Sequence, residues 1–210
     1  MFLEFVTQTD RVVIRQVVEK VELLGVEGRN RYEILTPQGE LLARAEEERG
    51  WLGFFLRQVM AHWRTFQVDV EEPNGSKVLQ LVHPFRLLFQ ELQVLDGRGY
   101  RLGRMVKNWT LLAKKFTLTP AGGSPIEMNS GFFNIWKFPF YRQGQQVACL
   151  HKEFGGLLKE LFTDADTFVL DFEDRSLTLQ DRLLLLGAAL FVDLEYFEVD
   201  ANRSRRRRRN

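Results

Sequence analysis

The sequence predicts a mainly β protein: a closed antiparallel barrel of ten or more strands around a central apolar helix near the C-terminus. Three observations carry that expectation. Four stretches repeat one pattern of alternating apolar residues, a glycine-bearing turn and renewed alternation, which marks hairpins with one buried face. The most apolar part of the chain, Leu183–Val192, is an unbroken run of only ten residues, whereas a membrane-spanning helix needs roughly 20. A barrel with that many strands encloses more space than its wall side chains fill, and an apolar helix would fill it.

In chain order, the segment Val12–Val18 reads as a first strand. The stretch "YEILTPQGELLARA" forms a hairpin with Tyr32, Ile34 and Leu42 on one face. In "FQVDVEEPNGSKVLQLV", Phe66, Val68, Val70, Leu79 and Leu81 share a face. The stretches "LQVLDGRGYRLGRMV" and "FPFYRQGQQVACLH" repeat the scheme. Their turns "PQG", "PNG" and "GRG" supply the preset and positive φ angles that tight reversals need. Further strands are expected at Phe116–Thr119, Phe132–Phe138 and Thr167–Phe172.

The last element is the helix from Leu183 to Phe197, read as the plug of the barrel. Asp181 and Arg182 precede its apolar run, and Asp193, Glu195 and Glu198 break up the residues beyond it. A span would need a partner for Asp193, because an Asp at the bilayer centre costs about 2.5–3.5 kcal/mol. The small residues Gly187, Ala188 and Ala189 let neighbouring backbone approach, and an all-round apolar helix is at home inside protein.

Composition agrees with a globular domain: 210 residues, 45% hydrophobic and 27% charged. The expected division is one barrel domain over residues 1–199 and a disordered basic tail over 200–210. The single cysteine, Cys149, excludes an internal disulfide and fits a reducing compartment. The opening "MFLEFVTQTDR" has no basic start, long apolar stretch or small-residue cleavage site, so no secretion signal is expected and a cytoplasmic location is. The net charge is +1; setting aside the six arginines Arg203, Arg205, Arg206, Arg207, Arg208 and Arg209 leaves −5 for the body. Such a basic block is an interaction tail for anionic lipid, at ~1 kcal/mol per residue near the surface, for nucleic-acid phosphates, or a passive solubilising end.

Between the first two hairpins lies "RGWLGFFLRQVMAHWRTF". Trp51, Leu52, Phe55, Leu56, Val59, Met60 and Trp63 recur at helical spacing and make one apolar face, with Arg57 and Arg64 off it. Two readings are open. An interfacial membrane helix has such aromatics with arginines at the edge, and so does a helix that seals one end of the barrel. Enzyme readings find no support: His62, His83 and His151 are scattered, "AGGSP" is too short for a phosphate loop, and nothing pairs a nucleophile with a base.

Near the C-terminus, "HKEFGGLLKELFTDADTFVLDF" followed by "LLLLGAALFVDLEYFE" resembles the phospholipid scramblase family. The resemblance rests on Lys152, Phe154 and Gly156, on Phe162 to Asp166, and on Phe197 and Glu198. The entry to the first hairpin, "VVEKVELLGVEGRNRYEILTPQGELLARAEEE", is similar as well, so the resemblance runs from Thr9 to Glu198. It implies a twelve-stranded, tubby-like barrel around a C-terminal helix in a membrane-associated, phospholipid-handling protein, and calcium-stimulated movement of lipid between leaflets; with the plug and the arginine tail, the expectation is a membrane-peripheral protein that binds anionic phospholipid. The alternative is a soluble interaction or nucleic-acid-binding module without lipid activity. The cysteine clusters of animal members are missing from "RGWLGFFLRQVMAHWRTF" and "HPFRLLFQ", so acyl anchoring there is not expected.

The resemblance implies calcium at the acidic stretch, where Asp164, Asp166, Asp171, Glu173 and Asp174 are close together. The spacing does not match a helix-loop-helix calcium loop. With Asp164 as position one, Val169 stands where Gly is required and Arg175 where Glu is. Any calcium bound here is expected to be held weakly, in the ~10⁻⁴–10⁻³ M class.

Overall fold

The computed structural model describes residues 1–17, 31–47, 66–83, 91–108, 113–131, 136–152 and 167–192. Twelve strands close into an antiparallel barrel: β1 (Arg11–Val17), β2 (Arg31–Leu35), β3 (Leu41–Glu47), β4 (Phe66–Glu71), β5 (Lys77–His83), β6 (Glu91–Asp96), β7 (Arg101–Asn108), β8 (Ala113–Pro120), β9 (Ile126–Gly131), β10 (Lys137–Arg142), β11 (Gln145–Lys152) and β12 (Thr167–Phe172). Each strand pairs with its neighbours in sequence. Closure comes from β1 pairing with β12, with Val13 opposite Val169. A short helix α1 (Phe2–Gln8) precedes the barrel, and helix α2 occupies residues 179–192.

The alternation seen in the sequence is the alternation of the wall. Tyr32, Ile34, Val68, Val70, Leu79 and Leu81 all join one buried core. The expected turns form with Gly39, Gly75 and Gly99 at φ 89°, 82° and 85°. A fourth, Gln143–Gly144, has both φ angles positive (52° and 82°), as a two-residue hairpin reversal requires. One expectation needs correction. The strand expected over Phe132–Phe138 is interrupted: β9 ends at Gly131, Trp136 lies in a bend and β10 begins at Lys137, with residues 132–135 outside the described residues. Strand β9 and helix α1 were not anticipated.

Helix α2 is the plug. Every residue from Asp181 to Val192 is buried. Thr178 caps its start: its Oγ1 accepts the Asp181 N–H at 3.2 Å, while Asp181 Oδ2 accepts the Thr178 N–H at 3.0 Å, a reciprocal capping box. The fit against the wall is tight. A Cβ at Gly187 would lie 2.8 Å from Leu81 Cδ2, and one at Gly103 on β7 would lie 2.8 Å from Leu184 Cδ2 and 2.7 Å from the Thr119 carbonyl oxygen. Among the described residues, no helix is long and apolar enough to cross a membrane. Residues 193–197 of the expected helix and the tail 200–210 lie outside the described residues.

The barrel has two different ends. Because consecutive strands are antiparallel neighbours, the short turns β2–β3, β4–β5, β6–β7, β8–β9 and β10–β11 all fall at one end, here the turn end. Helix α1 packs there through Phe2 and Val6, both fully buried. Helix α2 starts at this end, where Arg142 pairs with Asp181, and runs to the opposite, far end, where Phe191 stacks on His83 at 6.1 Å and meets Phe116 edge-on at 5.9 Å.

Candidate functional site

All strand-to-strand connections other than the short turns leave from the far end. Glu47 and Phe66 flank the aromatic segment 48–65 there, and Lys152 and Thr167 flank the segment 153–166. Helix α2 also reaches this end at residue 192, from which the chain continues towards the basic tail. The described residues that flank segment 48–65 and the last described residue before the tail therefore lie at the same end of the barrel. Trp51, Phe55, Arg57, Trp63, Arg64, Arg203, Arg205, Arg206, Arg207, Arg208 and Arg209 themselves lie outside the described residues.

The described strand ends have a character of their own. The inner face of the wall is apolar along most of its length and turns polar at the far end. His83 is buried beside Phe191. Lys107 lies opposite Phe116, and Lys152 opposite Phe168; both phenylalanines belong to the core, so both lysines fall on the inner face by register. At the rim, Trp136 is 39% exposed, a large apolar surface left open to solvent. The Lys152 ammonium stands 5.0 Å from the Trp136 ring centroid and 5.8 Å from that of Phe168, close enough for cation–π attraction. Exposed Lys137 follows Trp136 directly. An amphipathic aromatic next to ammonium groups is the pairing found at membrane interfaces. Sequence reasoning missed this cluster. The available signal was the position of Trp136, Lys137 and Lys152 at the ends of facing strands.

Asp171, Glu173 and Asp174, three of the five calcium candidates, are described and each is engaged within the protein. Asp171, on β12, accepts from Arg11 Nε and from Nη2 at 3.1 Å, with His151 Nδ1 3.7 Å away. Glu173 accepts from Gln146 Nε2 at 2.7 Å. Asp174 accepts the Ser176 N–H at 2.8 Å, and that backbone hydrogen bond holds its carboxyl below the usual range. Asp164 and Asp166 lie outside the described residues. Among the described residues, no group of three or more His, Cys, Asp or Glu side chains is placed to hold a metal ion. Cys149 is buried in β11, and burial pushes its thiol up to about 11, which suits core packing and not nucleophilic attack.

Comparison with known proteins finds relatives along most of the chain. A phospholipid scramblase family protein of Schizosaccharomyces pombe is 28% identical over 89% of this chain and 58% of its own length. Phospholipid scramblase 2 of Homo sapiens is 26% identical over 93% of this chain and 70% of that protein. Phospholipid scramblase 1 of Homo sapiens is 26% identical, with 93% and 65% covered. The chain thus spans between 58% and 70% of the length of these relatives. A solved structure of a protein from Arabidopsis thaliana covers 88% of this chain and 91% of its own at 14% identity and a TM-score of 0.47. The scramblase family model matches residues 1–199, the whole of the barrel and its plug, and the chain belongs to that family.

Proposed function

We propose that this chain is a scramblase-like protein, peripheral to the cytoplasmic face of a membrane, that binds anionic phospholipid through the far end of its barrel and promotes lipid movement between leaflets. The observation that carries this reading is the convergence of the strand ends that lead to the Trp51–Trp63 segment and of the helix that leads to the arginine tail, beside exposed Trp136 and half-buried Lys152. Stable membrane attachment generally takes two signals, since one weak anchor gives marginal binding. In this reading the aromatic face of Trp51, Phe55 and Trp63, edged by Arg57 and Arg64, supplies an apolar contact. Arg203 and Arg205 to Arg209 supply a salt-sensitive attraction that reaches about one Debye length, ~8 Å at physiological ionic strength. Burial of α2 inside the wall makes it unavailable as a span, so lipid would move along the outside of the barrel.

The test is vesicle co-sedimentation across a salt series. Deleting residues 203–209 is expected to weaken binding to anionic vesicles far more at low salt than at high salt. Trp51→Ala with Trp63→Ala is expected to weaken it at both. Dye-labelled lipid in sealed vesicles, with and without calcium, measures movement between leaflets in the same preparation. Binding to duplex DNA in preference to anionic vesicles would overturn the lipid reading in favour of a nucleic-acid-binding module. Folded tryptophan variants that bind like the wild type would show that segment to be a seal for the barrel.

A further inference from the structure

At the turn end, away from the proposed membrane contact, lies a cleft of about 350 Å³ lined by Thr7, Gln8, Asp10, Arg175 and Arg182. Arg182 is its buried member, with 3% of its surface exposed. Its Nε donates to the Leu177 carbonyl at 3.3 Å, and its Nη1 donates to the carbonyls of Val6, at 3.2 Å, and Thr9. Its guanidinium carbon sits 4.7 Å from the Phe172 ring centroid. The second terminal nitrogen, Nη2, finds no acceptor among the described residues. Nor does any described carboxylate form an ion pair with Arg182; Asp10 and Asp174 act on it only through space. Burial weakens its hold on its proton while Asp10 and Asp174 strengthen it, and Nη2 is not sealed from solvent.

A largely buried charge is costly, and carbonyl contacts together with two carboxylates that act only through space offset that cost in part. The other lining groups bear on what would complete it. Arg175 is exposed and makes no hydrogen bond or ion pair among the described residues, and the Gln8 amide is likewise uncommitted. The Thr7 hydroxyl is already donated to the Leu3 carbonyl at 2.7 Å. The Asp10 carboxylate opposes a second negative charge. Two guanidinium groups and one carboxylate line the cleft, and the Asp174 carboxylate also acts on Arg182 from nearby. Guanidinium groups bind phosphate oxygens by charge-assisted hydrogen bonds, and donors from two separate elements suit a tetrahedral anion, whose oxygens point in several directions. We propose that this cleft binds a phosphate group, with Arg182 Nη2 and Arg175 as donors and Asp10 as the group that limits affinity. The phosphate is either free or part of a phospholipid headgroup.

The experiment is titration calorimetry of the full chain with inorganic phosphate and with glycerol 3-phosphate, at constant ionic strength against chloride. Saturable binding is expected. Arg175→Ala should weaken it roughly tenfold or more, the usual worth of a charge-assisted hydrogen bond, and Asp10→Asn should tighten it. Arg182→Lys is expected to abolish it, but that change also removes the carbonyl contacts that hold α1, so Arg175→Ala and Asp10→Asn carry the test. No saturable heat with either probe, or affinity that both of these variants leave unchanged, overturns the proposal. Anionic vesicles separate the two sources. If glycerol 3-phosphate competes with vesicles for the wild type and not for Arg175→Ala, the headgroup is the ligand. If vesicle binding ignores the soluble probe while calorimetry still reports the cleft, the ligand is free phosphate. Trp51→Ala with Trp63→Ala should leave phosphate binding intact, so failure of the far-end reading leaves this one standing.

Discussion

If α2 is the plug, one pair of residues should report it energetically. Gly103 on β7 faces Leu184 on α2 so closely that an added Cβ would lie 2.8 Å from Leu184 Cδ2, 3.1 Å from its Cδ1 and 2.7 Å from the Thr119 carbonyl oxygen. Gly103→Ala therefore overpacks the wall against the helix, at a cost of about 1–3 kcal/mol. Leu184 is fully buried, and Leu184→Ala should cost about 2.7–5.0 kcal/mol for lost transfer energy and a residual cavity. The two changes should not add. With Leu184 shortened, the new methyl at position 103 occupies part of the space that Leu184 vacates, and only the Thr119 contact remains to be relieved. The double variant should be more stable than the sum of the singles by about 1 kcal/mol or more, inside the range for residues in contact. Urea unfolding followed by far-ultraviolet circular dichroism measures this. At a slope of about 2–3 kcal/mol per M, a loss of 3 kcal/mol moves the midpoint by ~1 M. Additivity within about 0.5 kcal/mol would refute the reasoning, because it would mean that the helix does not rest against β7 in solution.

Four further outcomes are expected. The Cys149 thiol, raised from 9.0 to about 11 by burial, should react slowly with a disulfide reagent at pH 8 in the native protein and quickly once urea unfolds it. That same shift contributes nothing below pH 9 and lowers stability as pH rises from 9 to about 11, by about 2–3 kcal/mol at most, so Cys149→Ala should flatten the decline of stability over that window relative to the wild type. Asp181→Ala removes both the partner of partly buried Arg142 and half of the Thr178 capping box, and should cost about 3–5 kcal/mol in the same urea assay; a loss under ~1 kcal/mol would show the pair to be solvated. Calcium titration should reveal no saturable site tighter than ~0.1 mM; micromolar binding abolished by Asp164→Ala with Asp166→Ala would reverse that expectation.

Much of the wall was legible because its inner face is built from alternating apolar residues, and alternation survives in the sequence. Strand β9 escaped for a physical reason. Ile126 and Met128 point into the core, but the next inward position is Ser130, 1% exposed, whose hydroxyl is satisfied by the Lys137 carbonyl at 3.0 Å. A buried serine with its partner on the next strand reads in sequence as a loop residue. Helix α1 escaped because seven residues are too few for a helix to hold by propensity. It is held by burial of Phe2 and Val6 and by Arg182, which accommodates its C-terminal carbonyls from 176 residues away at Val6. Asp171 read as one carboxylate of an acidic cluster, and its bond to Arg11 lies 160 residues distant, beyond the reach of local spacing.

The two charges that open the apolar helix illustrate how one feature of sequence can support opposite structures. Next to a membrane span, Asp181 and Arg182 would sit in the headgroup layer with their charged groups in water. In this barrel both are buried, at 4% and 3% exposure. Asp181 caps its own helix and grips Arg142 from β10, while Arg182 reaches across to α1. A helix surrounded only by leucine and phenylalanine contacts can slide or rotate at little cost, because apolar packing is not directional. Hydrogen-bonded charges at one end fix its depth and its rotation. The same bonds bring a cationic residue to the turn end with no carboxylate in direct contact, which is why the residue that anchors the plug is also the one left with a donor facing a cleft.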